Sequence, residues 1–81
     1  MVIQEDATGN RFTEIELPNS EKVRVTYVEE GWAGQGGVRI QIRETSGRLR
    51  QGPEIPIDQV GHVVSGVINL LKNASTFHRV P

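Results

Sequence analysis

The sequence predicts an α+β domain, a four-stranded antiparallel β-meander followed by one C-terminal amphipathic helix packed on the sheet, in the order β-β-β-β-α. Three observations carry this prediction. Residues 22–29 and 38–45 alternate apolar and polar side chains with a period of two. Turn-forming clusters of Gly, Pro, Asn and Ser separate the extended stretches at short spacing. Beyond Asp58 the apolar period changes to that of a helix.

Residues 1–10 are polar and acidic, end in Thr8-Gly9-Asn10, and read as a flexible N-terminal segment. The domain itself is expected over residues 11–73. Arg11 to Leu17 places Thr13, Ile15 and Leu17 on one side and Phe12, Glu14 and Glu16 on the other, and Pro18-Asn19-Ser20 turns the chain. Lys22 to Glu29 follows, with Val23, Val25 and Tyr27 opposite Lys22, Arg24 and Thr26. A glycine-rich connection, Gly31 to Gly37, leads to Val38–Thr45, where Val38, Ile40 and Ile42 face away from Arg39, Gln41 and Arg43. After Ser46-Gly47, Arg48 to Gln51 is a polar continuation that Gly52-Pro53 breaks. Glu54 to Ile57, flanked by Pro53 and Pro56, is a short edge strand.

Asp58 has the chemistry of a helix N-cap. Val60, Val63, Val64, Val67, Ile68 and Leu71 then form one stripe of a helix reaching about Lys72, with Asn73 as its cap and 74–81 as a tail. Burial of six such aliphatics is worth very roughly 9–18 kcal/mol gross. Gly61 and Gly66 interrupt this helix at a cost of roughly 1 kcal/mol each relative to alanine, which points to close approach of a backbone, from the sheet or a partner helix, or to simple suboptimality. A chain of 81 residues has a thin core, and with no cysteine to staple it a homodimer through the C-terminal helix is expected.

No catalytic constellation can be assembled, so the chain reads as a non-enzyme without cofactor, metal or small-molecule substrate. His62 and His78 lack metal-ligand spacing, and Glu14 and Glu16 share a strand face without an evident partner acid or base. Ser46 and Ser65 have no nucleophile context. The glycine loop lacks the Lys-Ser/Thr of a phosphate cradle and joins two antiparallel strands instead of opening a helix. Asn73-Ala74-Ser75 matches a glycosylation sequon but follows no secretory signal. Neither a signal peptide nor an apolar run able to cross a bilayer is legible, so a cytoplasmic setting is expected, nucleoid-associated if the chain binds DNA.

The formal net charge of −1 argues against a general polyanion binder, but its distribution is uneven. Glu5, Asp6, Glu14 and Glu16 make the first quarter acidic, whereas Arg39, Arg43, Arg48 and Arg50 meet only Glu44 between Val38 and Gly52. If strands two and three pair, Lys22, Arg24, Arg39, Gln41 and Arg43 share one polar face, with Arg48 and Arg50 extending it. Trp32 in the glycine loop is a candidate base-stacking residue and Phe12, on the side of its strand away from Ile15, is another, although aromatics are only 5% of the chain. The plain alternative is a solvated sheet face. Convergence of Arg24, Arg39 and Arg43 on an exposed surface would favour nucleic acid; pairing with first-strand glutamates would leave a neutral face.

From Lys22 to Leu71 the order of elements is similar to that of the positive cofactor 4 family of single-stranded-DNA-binding transcriptional coactivators, whose plan the Pur-alpha and Whirly proteins share. Val38-Arg39-Ile40-Gln41-Ile42-Arg43-Glu44 resembles that family's strand ending in Ile-Arg-Glu, and Glu54-Ile55-Pro56-Ile57-Asp58 its extended entry to the long helix. The resemblance implies a dimeric single-stranded nucleic-acid-binding module, DNA before RNA, accessory to transcription, replication or repair. Arg43 would be a contact, and Arg48 and Arg50 would line the same groove. Thr45 and Ser46 stand where that family carries aromatics, and the same architecture without them can serve protein interaction or assembly instead.

Overall fold

A computed structural model of the protein describes residues 1–31 and 34–79, the side chains of 75–79 excepted. Its order is β1 (Gln4–Glu5), β2 (Arg11–Glu16), β3 (Lys22–Val28), β4 (Gly37–Arg43), β5 (Leu49–Pro56) and α1 (Ile57–Arg79). The strands form one antiparallel meander in sequential order, five among the described residues. The α+β class is as expected; the strand count is not.

The additional strand, β1, lies in the segment expected to be flexible. Asp6 makes it possible: its Oδ1 accepts from the Thr8 N–H at 2.9 Å, the Thr8 hydroxyl at 2.8 Å and the Asn10 N–H at 2.9 Å. Gln4 and Glu5 then pair with Phe12 and Arg11.

One turn design recurs in all four hairpins. In each, an N–H bonds to the carbonyl four residues on, and the residue three on donates back: Asp6 with Asn10 and Gly9, Leu17 with Glu21 and Ser20, Gly31 with Gln35 and Gly34, Glu44 with Arg48 and Gly47. This three-residue loop needs a left-handed residue in its last position. Gly9, Gly34 and Gly47 supply it at φ of 87°, 76° and 93°; in the second hairpin Ser20 takes φ 69°.

Register decides which side chains share a face. Val23 sits opposite Ile42, Val25 opposite Ile40 and Tyr27 opposite Val38 on one face. Phe12 opposite Thr26, Glu14 opposite Arg24 and Glu16 opposite Lys22 lie on the other. The β4–β5 ladder contains a bulge, since Arg39 pairs with Glu54 and Gln41 with Gln51, leaving Gly52 and Pro53 across from Ile40. One extra residue flips the parity of the strand. After the bulge Ile55 stands beside Val38 on the apolar face and Glu54 beside Arg39 on the polar one. A Cβ at Gly52 would collide with the Ile40 carbonyl, which is why glycine stands there.

The helix starts one residue before the expected cap. Ile57 donates its N–H to the Gly36 carbonyl at 2.9 Å, and Asp58 falls inside the first turn. Nor does Asn73 end it, for α1 continues to Arg79 and is about 35 Å long. Among the described residues it packs against β4 and β5. Its stripe faces the sheet without closing on it, so Val63, Val64, Val67, Ile68 and Leu71 remain 41–63% exposed. Among the described residues no side chain is fully enclosed.

Candidate nucleic-acid and assembly surfaces

The two faces of the sheet invert the usual arrangement. The side chains that are most buried, Phe12, Thr26, Val28 and Gln41, all lie on the polar face. The apolar face stays open, as a groove of about 360 Å³ between Val25, Val38, Ile40 and Ile55 of the sheet and Val60, Val63, Val64, Val67 and Ile68 of α1.

Long side chains close the polar face over itself. Glu14, central on β2 with its side chain only 8% exposed, receives two arginines. Arg24, its cross-strand partner on β3, donates from Nε to Oε2 at 3.0 Å. Arg43, reaching from β4, donates from Nη2 to Oε1 at 3.1 Å and brings Nε to 2.8 Å from Oε2. That last N–H is buried but not aligned for a hydrogen bond. Burial works to raise the Glu14 carboxyl; the hydrogen bonds and charges of Arg24 and Arg43 outweigh it and hold the group below its ordinary range. Arg24 also lies over the Phe12 ring, 4.0 Å from its centroid. Phe12 is thereby covered. Farther along, Arg39 donates from Nε and Nη2 to Glu54 Oε2 at 3.0 and 2.9 Å, and Gln41 bonds Gln51 at 3.4 Å.

Of the residues proposed from sequence, Lys22, Arg24, Arg39, Gln41 and Arg43 are brought to one face as the period-two pattern requires. Arg50 is not. It pairs in register with Ile42, so it belongs to the apolar side, where it meets Glu44 at 3.2 Å and Glu21 at 3.4 Å. The expected extension of the patch along the fourth hairpin therefore fails at Arg50, because strand alternation sends Leu49 and Gln51 to the polar face in its place. Arg48 lies exposed in the turn, and Trp32 lies outside the described residues. Among the described residues, Lys22 and Arg48 are members of the set without an ion pair. Glu14 and Glu54, which matter here, were not singled out as binding groups; only the cross-strand register reveals them. Phe12, expected as a second stacking surface, instead lies under Arg24 and is 8% exposed.

Pairing of Arg24 and Arg43 with a first-strand glutamate is the arrangement expected of a neutral, structural face. Elsewhere, His62 Nδ1 meets only its helical neighbour Gln59 at 3.2 Å. Among the described residues no three His, Asp or Glu side chains gather as a metal site, and no helix is long and apolar enough to cross a membrane. Compared with known proteins, the chain matches no family model, no curated protein and no solved structure.

Proposed function

We propose that the chain is a non-enzymatic assembly module whose working form is a homodimer, paired through α1 and the apolar groove beside it. The observation that carries this is surface in excess. The chain exposes 6268 Å², whereas a folded monomer of 9.0 kDa exposes about 4,900 Å². The excess, on the order of 1,400 Å², exceeds the roughly 800 Å² that each partner hides in a stable complex. Its most apolar part is the stripe Val63, Val64, Val67, Ile68 and Leu71. Completing the burial of these half-exposed aliphatics is worth about 1 kcal/mol each. A second copy offers the same stripe and satisfies both surfaces by two-fold symmetry. Sedimentation equilibrium tests the reading. The wild type is expected at twice the chain mass at micromolar concentration and Val64→Asp at the chain mass; a monomeric wild type would overturn it.

A second reading, a single-stranded nucleic-acid-binding module, DNA before RNA and accessory to transcription, replication or repair, is favoured by the convergence of Lys22, Arg24, Arg39, Gln41 and Arg43 on one face. Glu14 and Glu54 offset two of the four positive charges there, which weakens the attraction at long range. The test is fluorescence anisotropy with a labelled mixed-sequence single strand of about 20 nucleotides. Binding that weakens steeply with salt is expected, and no binding at low salt would remove this reading while leaving the assembly reading intact.

A further inference from the structure

The two readings of the polar face differ by one carboxylate. Guanidinium groups take carboxylates and phosphates in the same planar, two-pronged manner. Arg24 and Arg43 bring two such groups to Glu14 from two different strands, so two positive charges share one negative. The Phe12 ring fixes the Arg24 guanidinium from below, which keeps it in place without the carboxylate. The fork has a donor to spare, because the buried Nε of Arg43 has no aligned acceptor. Lys22, opposite Arg43 in the β3–β4 register, adds a cation beside it.

We propose that Glu14 is an internal stand-in for a phosphodiester: Arg24 and Arg43 form an anion-binding fork that the chain fills with its own side chain, and Glu14 sets how strongly this face takes single-stranded nucleic acid. The proposal rests on the second reading above. Binding swaps one anion for another at the fork. The phosphodiester takes the guanidinium donors, and the Glu14 carboxylate turns out to water. A neutral side chain at position 14 leaves the fork vacant and removes the competitor.

Anisotropy titrations of the same labelled single strand, across a salt series, decide it with the wild type, Glu14→Gln and Glu16→Gln. Glu16 lies on the same face two residues along, opposite Lys22, and makes no ion pair with the arginines, so its variant carries the same change in net charge without touching the fork. Glu14→Gln is expected to bind about tenfold more tightly than both others. Its log–log salt slope should steepen by about 0.7 to 1.4, the signature of one or two further phosphates. Equal affinity of the two glutamine variants would overturn the proposal. If the wild type binds with salt dependence and Glu14→Gln binds no better, the fork idea falls and the second reading stands. If neither binds at low salt, both fall. Should Glu14→Gln not fold, the wild type serves: oligonucleotide must shift the Nε–H resonances of Arg24 and Arg43, and their failure to move while other resonances shift, or the absence of any shift, overturns the proposal.

Discussion

Arg24 and Phe12 are stacked across the β2–β3 ladder, the guanidinium carbon 4.0 Å from the ring centroid, on the face that alternation marks as polar. The same guanidinium donates to Glu14 at 3.0 Å. A ring, a cation and a carboxylate thus form the nearest thing to a core on that side of the sheet.

Removing Arg24 is therefore expected to cost more than an exposed ion pair would. Arg24→Ala uncovers Phe12 and leaves Glu14 with Arg43 alone, and a loss of about 2 kcal/mol is expected. Phe12→Leu keeps the apolar volume and loses the cation–π contact, for about 1 kcal/mol. In a denaturant-unfolding double-mutant cycle the two should be non-additive, because they remove one shared contact.

Acid should act through the same cluster. A carboxyl whose folded pKa is depressed stabilises the fold at pH above its unfolded value and loses that contribution as pH falls through the folded one. Glu14 is depressed from 4.5 by the two arginines against the opposing effect of burial, and Asp6 from 3.8, first by its bond from the Thr8 hydroxyl. The midpoint of thermal unfolding is expected to stay level from neutral pH to about pH 5 and to drop below it. Glu14→Gln should start lower at neutral pH and fall less steeply.

Ser20 holds a position where the other three hairpins place glycine. A non-glycine residue in the left-handed region carries a penalty of roughly 1–2 kcal/mol, partly offset by the greater freedom of glycine in the unfolded chain. Ser20→Gly is accordingly expected to stabilise the protein by about 0.5–1 kcal/mol in denaturant unfolding, with no change in secondary structure by circular dichroism.

Gly61 and Gly66 distinguish a bare helix from a paired one. A Cβ at either position meets nothing within 4 Å in the protomer, so neither glycine is there to let the sheet approach. Alanine should then stabilise α1 by roughly 1 kcal/mol at each site. A gain at both sites assigns the glycines to solvent. A loss, accompanied by a lower dimer mass in sedimentation, would assign that glycine to the approach of the partner's helix.

Much of the fold was legible because turn chemistry and side-chain period agree. Pro18-Asn19-Ser20 and Ser46-Gly47 each mark a hairpin, and alternation in β3 and β4 sorts Lys22, Arg24, Arg39, Gln41 and Arg43 onto one side. What escaped depends on relations between strands. β1 has two residues, too few for a period, and is anchored by Asp6. At Gly52-Pro53 the period breaks, so neither the continuity of β5 nor the turning of Arg50 to the apolar side follows from local pattern. The helix outruns Asn73 because no proline follows before Pro81 to stop it. Glu14 carried no partner in the sequence, since Arg24 and Arg43 lie 10 and 29 residues away.

The bulge at Gly52-Pro53 also bears on how the edge of the sheet meets other chains. A molecule with so much uncovered aliphatic surface is at hazard of stacking strand on strand into ribbons without end. The outer margin of β5 resists this: two of its eight residues, Pro53 and Pro56, have no amide hydrogen to offer a neighbouring chain, and the bulge between them and Gln51 breaks the straight row that a docking strand would read. Along that margin a docking strand finds no continuous template.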